Sequence, residues 1–288
     1  MRASLADWLR VLKIPVAFLS GAAAVMGCAA FDPSFMQRIA LSGAGVFFLS
    51  CGAAALNNIQ DRFIDGQRAR TLNRPLASGR ILVRHAALLS ILLLLSGTVG
   101  LFIASRSWKA PLAGLLAVIL YNALYTPLKR TTPWALLPGV LSGAFPPLIG
   151  WLAAGGGLLS LRIGLVLVLY GTWQIPHLWL VMLAHRCDYF SPVERRIVNF
   201  FEPDQLQRLI PVWVTVFAFL TLLLKVFNFI DGPAGSILLL VNAVVLPAVF
   251  FTAFRKQCSE KKCKALFMLL NLSVLGITVM TGVDCLVR

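Results

Sequence analysis

The stretch Asn57-Asn58-Ile59-Gln60-Asp61-Arg62-Phe63-Ile64-Asp65 decides how the rest of the chain reads. It sets Asn57, Asp61 and Asp65 at i, i+4, i+8 spacing. Four helical residues turn the chain by about 400°, so each step drifts by about 40° and the three polar side chains share one helix face. Residues 43–56, just before them, carry no charge. A helix leaving a membrane therefore ends in a line of two carboxylates and an amide. Such hard oxygen donors suit Mg2+ held partly by carboxylates and partly by a substrate's phosphate oxygens. The segment that follows is dense in arginine, with Arg62, Arg68, Arg70, Arg74, Arg80 and Arg84 in or beside it. Their planar donors match phosphate oxygens. Taken separately, acids at a helix end can mark a membrane interface, and arginines there can set topology. A metal–diphosphate site accounts for both features together.

Composition gives the setting. The 288 residues are 59% hydrophobic and only 13% charged, with a mean hydropathy of +0.83. Soluble chains carry about a quarter charged residues. Apolar runs of about 20 residues, each long enough to span a bilayer core, recur from end to end. The expected fold is all-α: a polytopic bundle of nine transmembrane helices forming one integral-membrane domain over residues 1–288. The net charge of +15 does not argue for nucleic acid, because the basic residues sit in short loops and not along one soluble face. Asp7 and Trp8 near the start, with no cleavage-like site before the first span, argue against a removable leader.

The spans are expected at about 14–30, 37–58, 85–104, 110–127, 134–153, 161–184, 210–230, 234–254 and 265–286, after a short amphipathic lead-in over residues 1–13. Gly139, Gly143, Pro146 and Pro147 predict a bent fifth span. With the N-terminus inside, most of the 26 lysines and arginines fall on the inner side, leaving Arg38, Arg106, Lys109, Arg162, Lys225 and Arg288 outside. That asymmetry fits the positive-inside rule and puts the Asn57–Asp65 face in the cytoplasm. The cysteines at 28, 51, 187, 258, 263 and 285 lack metal-site spacing. A cytoplasmic loop carrying Cys258 and Cys263 is no place to expect a disulfide.

A second polar cluster closes the sixth span: Trp173-Gln174-Ile175-Pro176-His177-Leu178-Trp179, followed by His185-Arg186-Cys187-Asp188-Tyr189. Gln174 and His177 lie inside an apolar segment, where polar groups face a cavity or a partner. A hydrogen bond between helices satisfies them as well as a ligand does.

These residues form a familiar pattern. Asn57-x-x-x-Asp61-x-x-x-Asp65, with Arg70-Thr71-x-x-Arg74-Pro75-Leu76-x-Ser78-Gly79 after it, resembles the UbiA superfamily of intramembrane prenyltransferases. Three more stretches resemble its protoheme IX farnesyltransferase (haem O synthase) branch. They are Tyr125-Thr126-Pro127-Leu128-Lys129-Arg130, Gly143-Ala144-Phe145-Pro146-Pro147-Leu148-Ile149-Gly150-Trp151, and Trp173-Gln174-Ile175-Pro176-His177. One departure stands out: Cys187 replaces the first acid of the branch's second acidic pair, and the loop after Tyr189 is unlike the branch.

The resemblance implies a UbiA-type helical bundle in the cytoplasmic membrane and transfer of a farnesyl group from farnesyl diphosphate to a vinyl group of haem b. It implies Mg2+ on Asp61, Asp65 and Asn57, with Asn57 either ligating the ion or orienting Asp61. Arg68, Arg74 and Lys129 are the candidates for diphosphate contact. Trp173, Gln174, His177 and Asp188 are the candidates for the haem side. The lipid bilayer is the implied solvent, and a downstream haem-modifying or oxidase-assembly partner the implied recipient. Competing expectations are an aromatic or quinone-precursor acceptor, a non-catalytic haem- or lipid-binding homologue, and a transporter. An acidic face of metal-binding type argues against the last.

Overall fold

The computed structural model of the chain describes residues 3–190 and 201–287, with the side chains of Cys187 and Asp188 outside the description. Among the described residues nine helices are long and apolar enough to cross a membrane, and the chain divides into two compact units.

The first unit comprises Met1–Leu128 and Phe145–Gly157. It opens with the amphipathic α1 (Leu5–Leu12), whose start is closed by a capping box between Ser4 and Asp7. Then come the spanning helices α2 (Ile14–Phe31) and α3 (Met36–Asp65). The break between α1 and α2 has a local cause. Pro15 has no N–H to give the Val11 carbonyl four residues back, and Asn58 Nδ2 on α3 donates to that oxygen at 3.2 Å instead. Lys13, at the joint, takes a left-handed conformation with φ 49 and ψ 50.

Helix α3 is one unbroken helix of 30 residues. Its last two turns outrun the expected span and carry the acids beyond it. It packs on α4 (Val83–Ser105) through small residues. A Cβ on Gly97 would lie 2.7 Å from the Gly45 carbonyl oxygen, so the two backbones nearly touch. Ser90 Oγ donates to the Gly52 oxygen at 2.8 Å across the same seam. Close backbone approach and interhelical hydrogen bonds replace the hydrophobic drive that lipid cannot supply. On the far side of α4, Leu88, Ile91, Leu92, Leu95, Val99 and Ile103 are all more than half exposed, the helical spacing of a lipid-facing stripe.

The next span starts as α5 (Lys109–Val118), widens into a π-helix over Ile119–Tyr125 and closes with the short α6 (Thr126–Leu128). Sequence periodicity gave no sign of the π segment. The residues from Phe145 to Ala153 are the later part of α7 (Leu136–Ala153), which stays helical through Pro146 and Pro147.

The second unit comprises Lys129–Ala144 and Leu158–Arg288. Its helices, besides the start of α7, are α8 (Leu161–Ala184), the short α9 (Arg186–Phe190), α10 (Pro203–Val226), α11 (Pro233–Ala253) and α12 (Glu260–Val287). Tyr170 on α8 and Thr278 on α12 share a 2.7 Å hydrogen bond. Asp284 near the end of α12 accepts from the Asp231 and Gly232 N–H groups at 2.7 and 2.8 Å, satisfying donors at the start of α11. Helix α10 begins seven residues earlier than the hydrophobic run suggested. Glu202 and Gln205 form a capping box with Pro203 in the first turn, so a polar turn is helical outside the apolar stretch. The helix stops at Val226, and Asn228 follows with a φ of 55, where the sequence reading ran on to 230. The five cysteines whose side chains are described are free thiols.

Candidate functional site

In the first unit the polar face of α3 is assembled as its spacing required. Asn57, Asp61 and Asp65 are all buried. Asn57 Nδ2 donates to Asp61 Oδ2 at 3.0 Å and to Thr126 Oγ1 at 3.1 Å. Asn57 Oδ1 accepts from Lys13 Nζ at 3.1 Å. These partners fix which way the amide points. The ammonium needs an acceptor, while the Thr126 hydroxyl spends its own proton on the Tyr121 carbonyl at 2.8 Å. The nitrogen of Asn57 therefore faces Asp61 and its oxygen faces Lys13.

Two turns along, Arg74 NH1 meets Asp65 Oδ2 at 2.8 Å. The backbone that delivers Arg74 is a tight run of turns after Gly66. Thr71 Oγ1 donates to the Asp65 carbonyl at 2.9 Å, and the Arg74 N–H donates to the Thr71 carbonyl at 2.9 Å. Arg68, in the same turns, is buried, and its Nε has no hydrogen-bond partner among the described residues. A buried, under-satisfied guanidinium three residues past Asp65 is suited to receive an anion.

The remaining arginines do other work or lie exposed. Arg80 reaches Asp7 Oδ1 at 3.1 Å, pinning the Arg-rich turns to α1. Arg62 lies over its neighbour Phe63, 4.1 Å from the ring centre, and donates to the Ile59 carbonyl at 2.8 Å. Arg70 and Arg84 are exposed. The seam between α1, α3 and the turns is apolar, built from Val11, Ala55, Leu76, Ile81 and Ala86 with Trp8, Leu12 and Ile59 against them. The Ser4 backbone N–H above all, with Arg80 and the Ser4 hydroxyl helping against the opposing pull of burial, holds the Asp7 carboxyl below the usual carboxylate range.

The second unit carries the other polar cluster. Trp173 and His177 sit one turn apart on α8 with ring centres 4.9 Å apart, and Phe267 of α12 lies 4.7 Å from the imidazole on its other side. His177 Nδ1 is 3.0 Å from Asn271 Oδ1. Asn271 gives its own amide protons to the Phe267 carbonyl at 2.6 Å, so its oxygen is the acceptor. Nδ1 of His177 is thus the donor, and in the neutral ring Nε2 holds the lone pair. Gln174 packs over Gly143, where a Cβ would lie 2.1 Å from its Nε2. The Trp173 indole N–H is buried and has no partner among the described residues. Lys129 directly follows α6 and belongs to this unit. Asp188 lies on α9, with its side chain outside the described residues, as is that of Cys187.

With this geometry in view, comparison with known proteins is direct. The UbiA prenyltransferase family matches residues 16–273. The chain belongs to that family. Curated relatives in sequence include the protoheme IX farnesyltransferase of Oleidesulfovibrio alaskensis, 36% identical over 85% of this chain and 84% of that protein. The protoheme IX farnesyltransferase of Nitratidesulfovibrio vulgaris is 31% identical over 89% of each. A solved UbiA homologue from Archaeoglobus fulgidus, bound to GPP and Mg2+, superposes with a TM-score of 0.69 over 98% of this chain and 100% of that one. At 19% identity, that likeness is one of fold. The protein is thus an integral, multi-pass member of the UbiA family.

Three polar side chains around this UbiA-family face escaped the sequence reading. In the sequence Lys13 reads as a topology charge and Thr126 as one residue of a motif, with no role of its own. Asn122 went unmarked, yet it is buried and exchanges hydrogen bonds with Gln60, giving Nδ2 to Gln60 Oε1 at 3.1 Å and accepting Gln60 Nε2 on its carbonyl at 2.9 Å. The available signals were a lysine two residues before Pro15, and two polar residues, Asn122 and Thr126, four apart in an apolar span.

Proposed function

We propose that this UbiA-family chain transfers a farnesyl group from farnesyl diphosphate to a vinyl group of haem b, giving haem O. The protein would lie in the cytoplasmic membrane with its N-terminus and the Asn57–Asp65 face toward the cytoplasm. The acceptor assignment is carried by one observation: the near full-length similarity to protoheme IX farnesyltransferases. The placement of basic residues in the loops supports the sidedness.

The donor set bears on Mg2+. Among the described residues there is no group of three or more His, Cys, Asp or Glu able to hold a metal. Mg2+ commonly takes one or two carboxylates and completes its shell with phosphate and water. Asp61 and Asp65 would hold it. When bound, the ion supplies neutralising charge for the departing diphosphate.

The chain's own groups account for the rest. Asn57 donates to Asp61 and so aims that carboxylate, leaving its oxygen to Lys13. Arg68 and Arg74 offer N–H donors to diphosphate oxygens, Arg74 while bracing Asp65. Lys129 is a third candidate donor. The bond that breaks joins the first farnesyl carbon to the diphosphate oxygen. Its electron pair leaves with diphosphate, and the vinyl π electrons of haem b close on the allylic carbon. A water then supplies the hydroxyl of haem O and releases its proton. On the haem side, His177 presents an unprotonated Nε2, the form of imidazole that ligates iron. Trp173 and Gln174 flank it, and Asp188 follows at the end of the same segment.

The test is turnover by the full chain in detergent or lipid with haem b, farnesyl diphosphate and Mg2+, product being detected by mass. Farnesylated haem from the native chain and a loss of about a hundredfold or more in Asp61→Ala is the expected result. Haem bound with no farnesylated product would overturn the reading in favour of another acceptor or of a non-catalytic binder, which the cysteine at position 187 makes worth separating.

A further inference from the structure

The residue with no role in the motif is Lys13, and three observations converge on it. The first is its backbone. With φ 49 and ψ 50, Lys13 occupies the left-handed region that an L-residue with a Cβ enters at a cost and that Gly or Asn enters easily. Glycine would serve the break between α1 and α2 better, yet lysine stands there.

The second is the ammonium's partner. Lys13 Nζ donates to the Asn57 oxygen, a neutral acceptor, at 3.1 Å. An ammonium has three N–H donors. One bond to an amide leaves two for a ligand and leaves the positive charge uncancelled by that partner.

The third is level. Lys13 immediately precedes the first residue of the α2 span, while α3 continues from Asn57 to Asp65. At 1.5 Å per residue, Asp61 and Asp65 lie about 6 and 12 Å further out along the helix. The face is therefore a ladder, with Lys13 and Asn57 at its membrane end, the two carboxylates along it, and Arg74 at its outer end.

We propose that Lys13 is a further substrate-binding residue, the ammonium that receives the phosphate nearest the prenyl carbon. A prenyl diphosphate has an apolar tail that belongs among the spans and a terminal phosphate that belongs toward water. Laid along this ladder, its inner phosphate falls at Lys13 and its outer phosphate at Arg74. The bond that breaks is then the one beside Lys13. As it breaks, the bridging oxygen keeps the electron pair, and a Lys13 N–H donates to that oxygen while its negative charge grows. Donors aimed where charge develops lower the barrier more than they tighten ground-state binding. This assignment rests on the reading of the α3 face as a prenyl-diphosphate site.

The experiment uses the full chain in detergent with Mg2+ and inorganic pyrophosphate as the binding probe, alongside farnesyl diphosphate turnover and thermal unfolding. Lys13→Gly suits the backbone and removes the charge. Lys13→Asn suits it too and is read in its place if the glycine variant does not accumulate. Lys13→Arg restores the charge, and Asp61→Asn serves as the control for the site. The expected result is an unfolding temperature at or above that of the native chain, pyrophosphate binding weakened about tenfold, and kcat lowered about a hundredfold. Lys13→Arg should recover most of the binding. Native affinity and kcat in Lys13→Gly, with binding lost in Asp61→Asn, would reduce Lys13 to a latch on Asn57 and overturn the inference while the site reading stands. No pyrophosphate binding by the native chain would remove the site reading and this inference together.

Discussion

Replacing Arg74 by Met tests how a cation can brace the site and serve the substrate at once. The guanidinium meets Asp65 at 2.8 Å, with side-chain exposure of 36% for Arg74 and 7% for Asp65. Charge centres about 4 Å apart at an effective dielectric near 20 attract by about 4 kcal/mol gross. Because Arg74 is more than a third exposed, solvent screens the pair, and the net loss falls to about 1–2 kcal/mol. Much of that loss is the cost of stranding the buried Asp65 carboxylate. For a chain of this size it corresponds to a drop of a few degrees in Tm. On the proposed diphosphate role, the same substitution also removes a charge-assisted bond worth about 1.5–3 kcal/mol, or roughly a ten- to hundredfold rise in KM for farnesyl diphosphate. Arg74→Lys separates the two effects. It keeps the charge near Asp65 and so most of the Tm, but it loses the planar fork and so part of the affinity. Thermal unfolding and substrate saturation, measured on the same detergent preparations, report both. A fall in Tm with an unchanged KM in Arg74→Met would show that Arg74 is only a brace, and the diphosphate assignment would be wrong.

Two further outcomes are expected. Asp7, whose carboxyl is held below its ordinary pKa of 3.8, contributes stability that is fully present above that value and is lost as pH falls through its folded-state pKa. The protection of residues 3–13 against hydrogen exchange, taken relative to the intrinsic rate at each pH, should hold from pH 7 to about 4 and fall below. In Asp7→Asn protection should be lower at neutral pH and nearly flat with pH, and an identical profile in both would rule out the Asp7–Arg80 tie as the anchor of α1. Asn271→Leu removes the acceptor of the His177 Nδ1 proton, and losing the hydrogen bond behind a metal-binding imidazole, the role proposed for His177, costs about ten- to hundredfold in metal affinity. Haem titration followed by the Soret band should weaken about tenfold while pyrophosphate binding is unchanged, whereas an unaltered haem titration would detach His177 from the iron.

The carboxylate face was legible in the sequence because its geometry is local. A four-residue spacing needs only the helix to become a line, and apolar runs of membrane length announce the helices. The spans were likewise readable to within a turn, except where polar residues extended a helix past its apolar run, as Glu202–Gln205 do for α10 and the acid-bearing turns do for α3. What stayed hidden was set by contacts between distant parts of the chain. Lys13 and Asn57 are 44 residues apart, and only the helix break at Pro15 brings the ammonium round. The arginines looked equivalent as a cluster, but packing sorts them: Arg80 goes to Asp7, Arg62 to its own helix, Arg74 to Asp65. Nothing in their spacing foretells that division. The Asn271 partner of His177 lies on the last helix, beyond the reach of any local pattern.

The π segment over Ile119–Tyr125 carries a consequence for how this family can change. A π turn holds one residue more than the α turn it replaces, so it is a place where an extra residue is absorbed within the span. Deleting one residue between 119 and 125 would let the helix close to α with the turns on either side nearly in phase, whereas a deletion in the α part of the span, over 109–118, would turn Thr126 by about 100°. The first leaves Thr126 beside Asn57, and the second swings it away with no side chain altered. The π segment is therefore the point at which this span can change length without disturbing the site's polar lining.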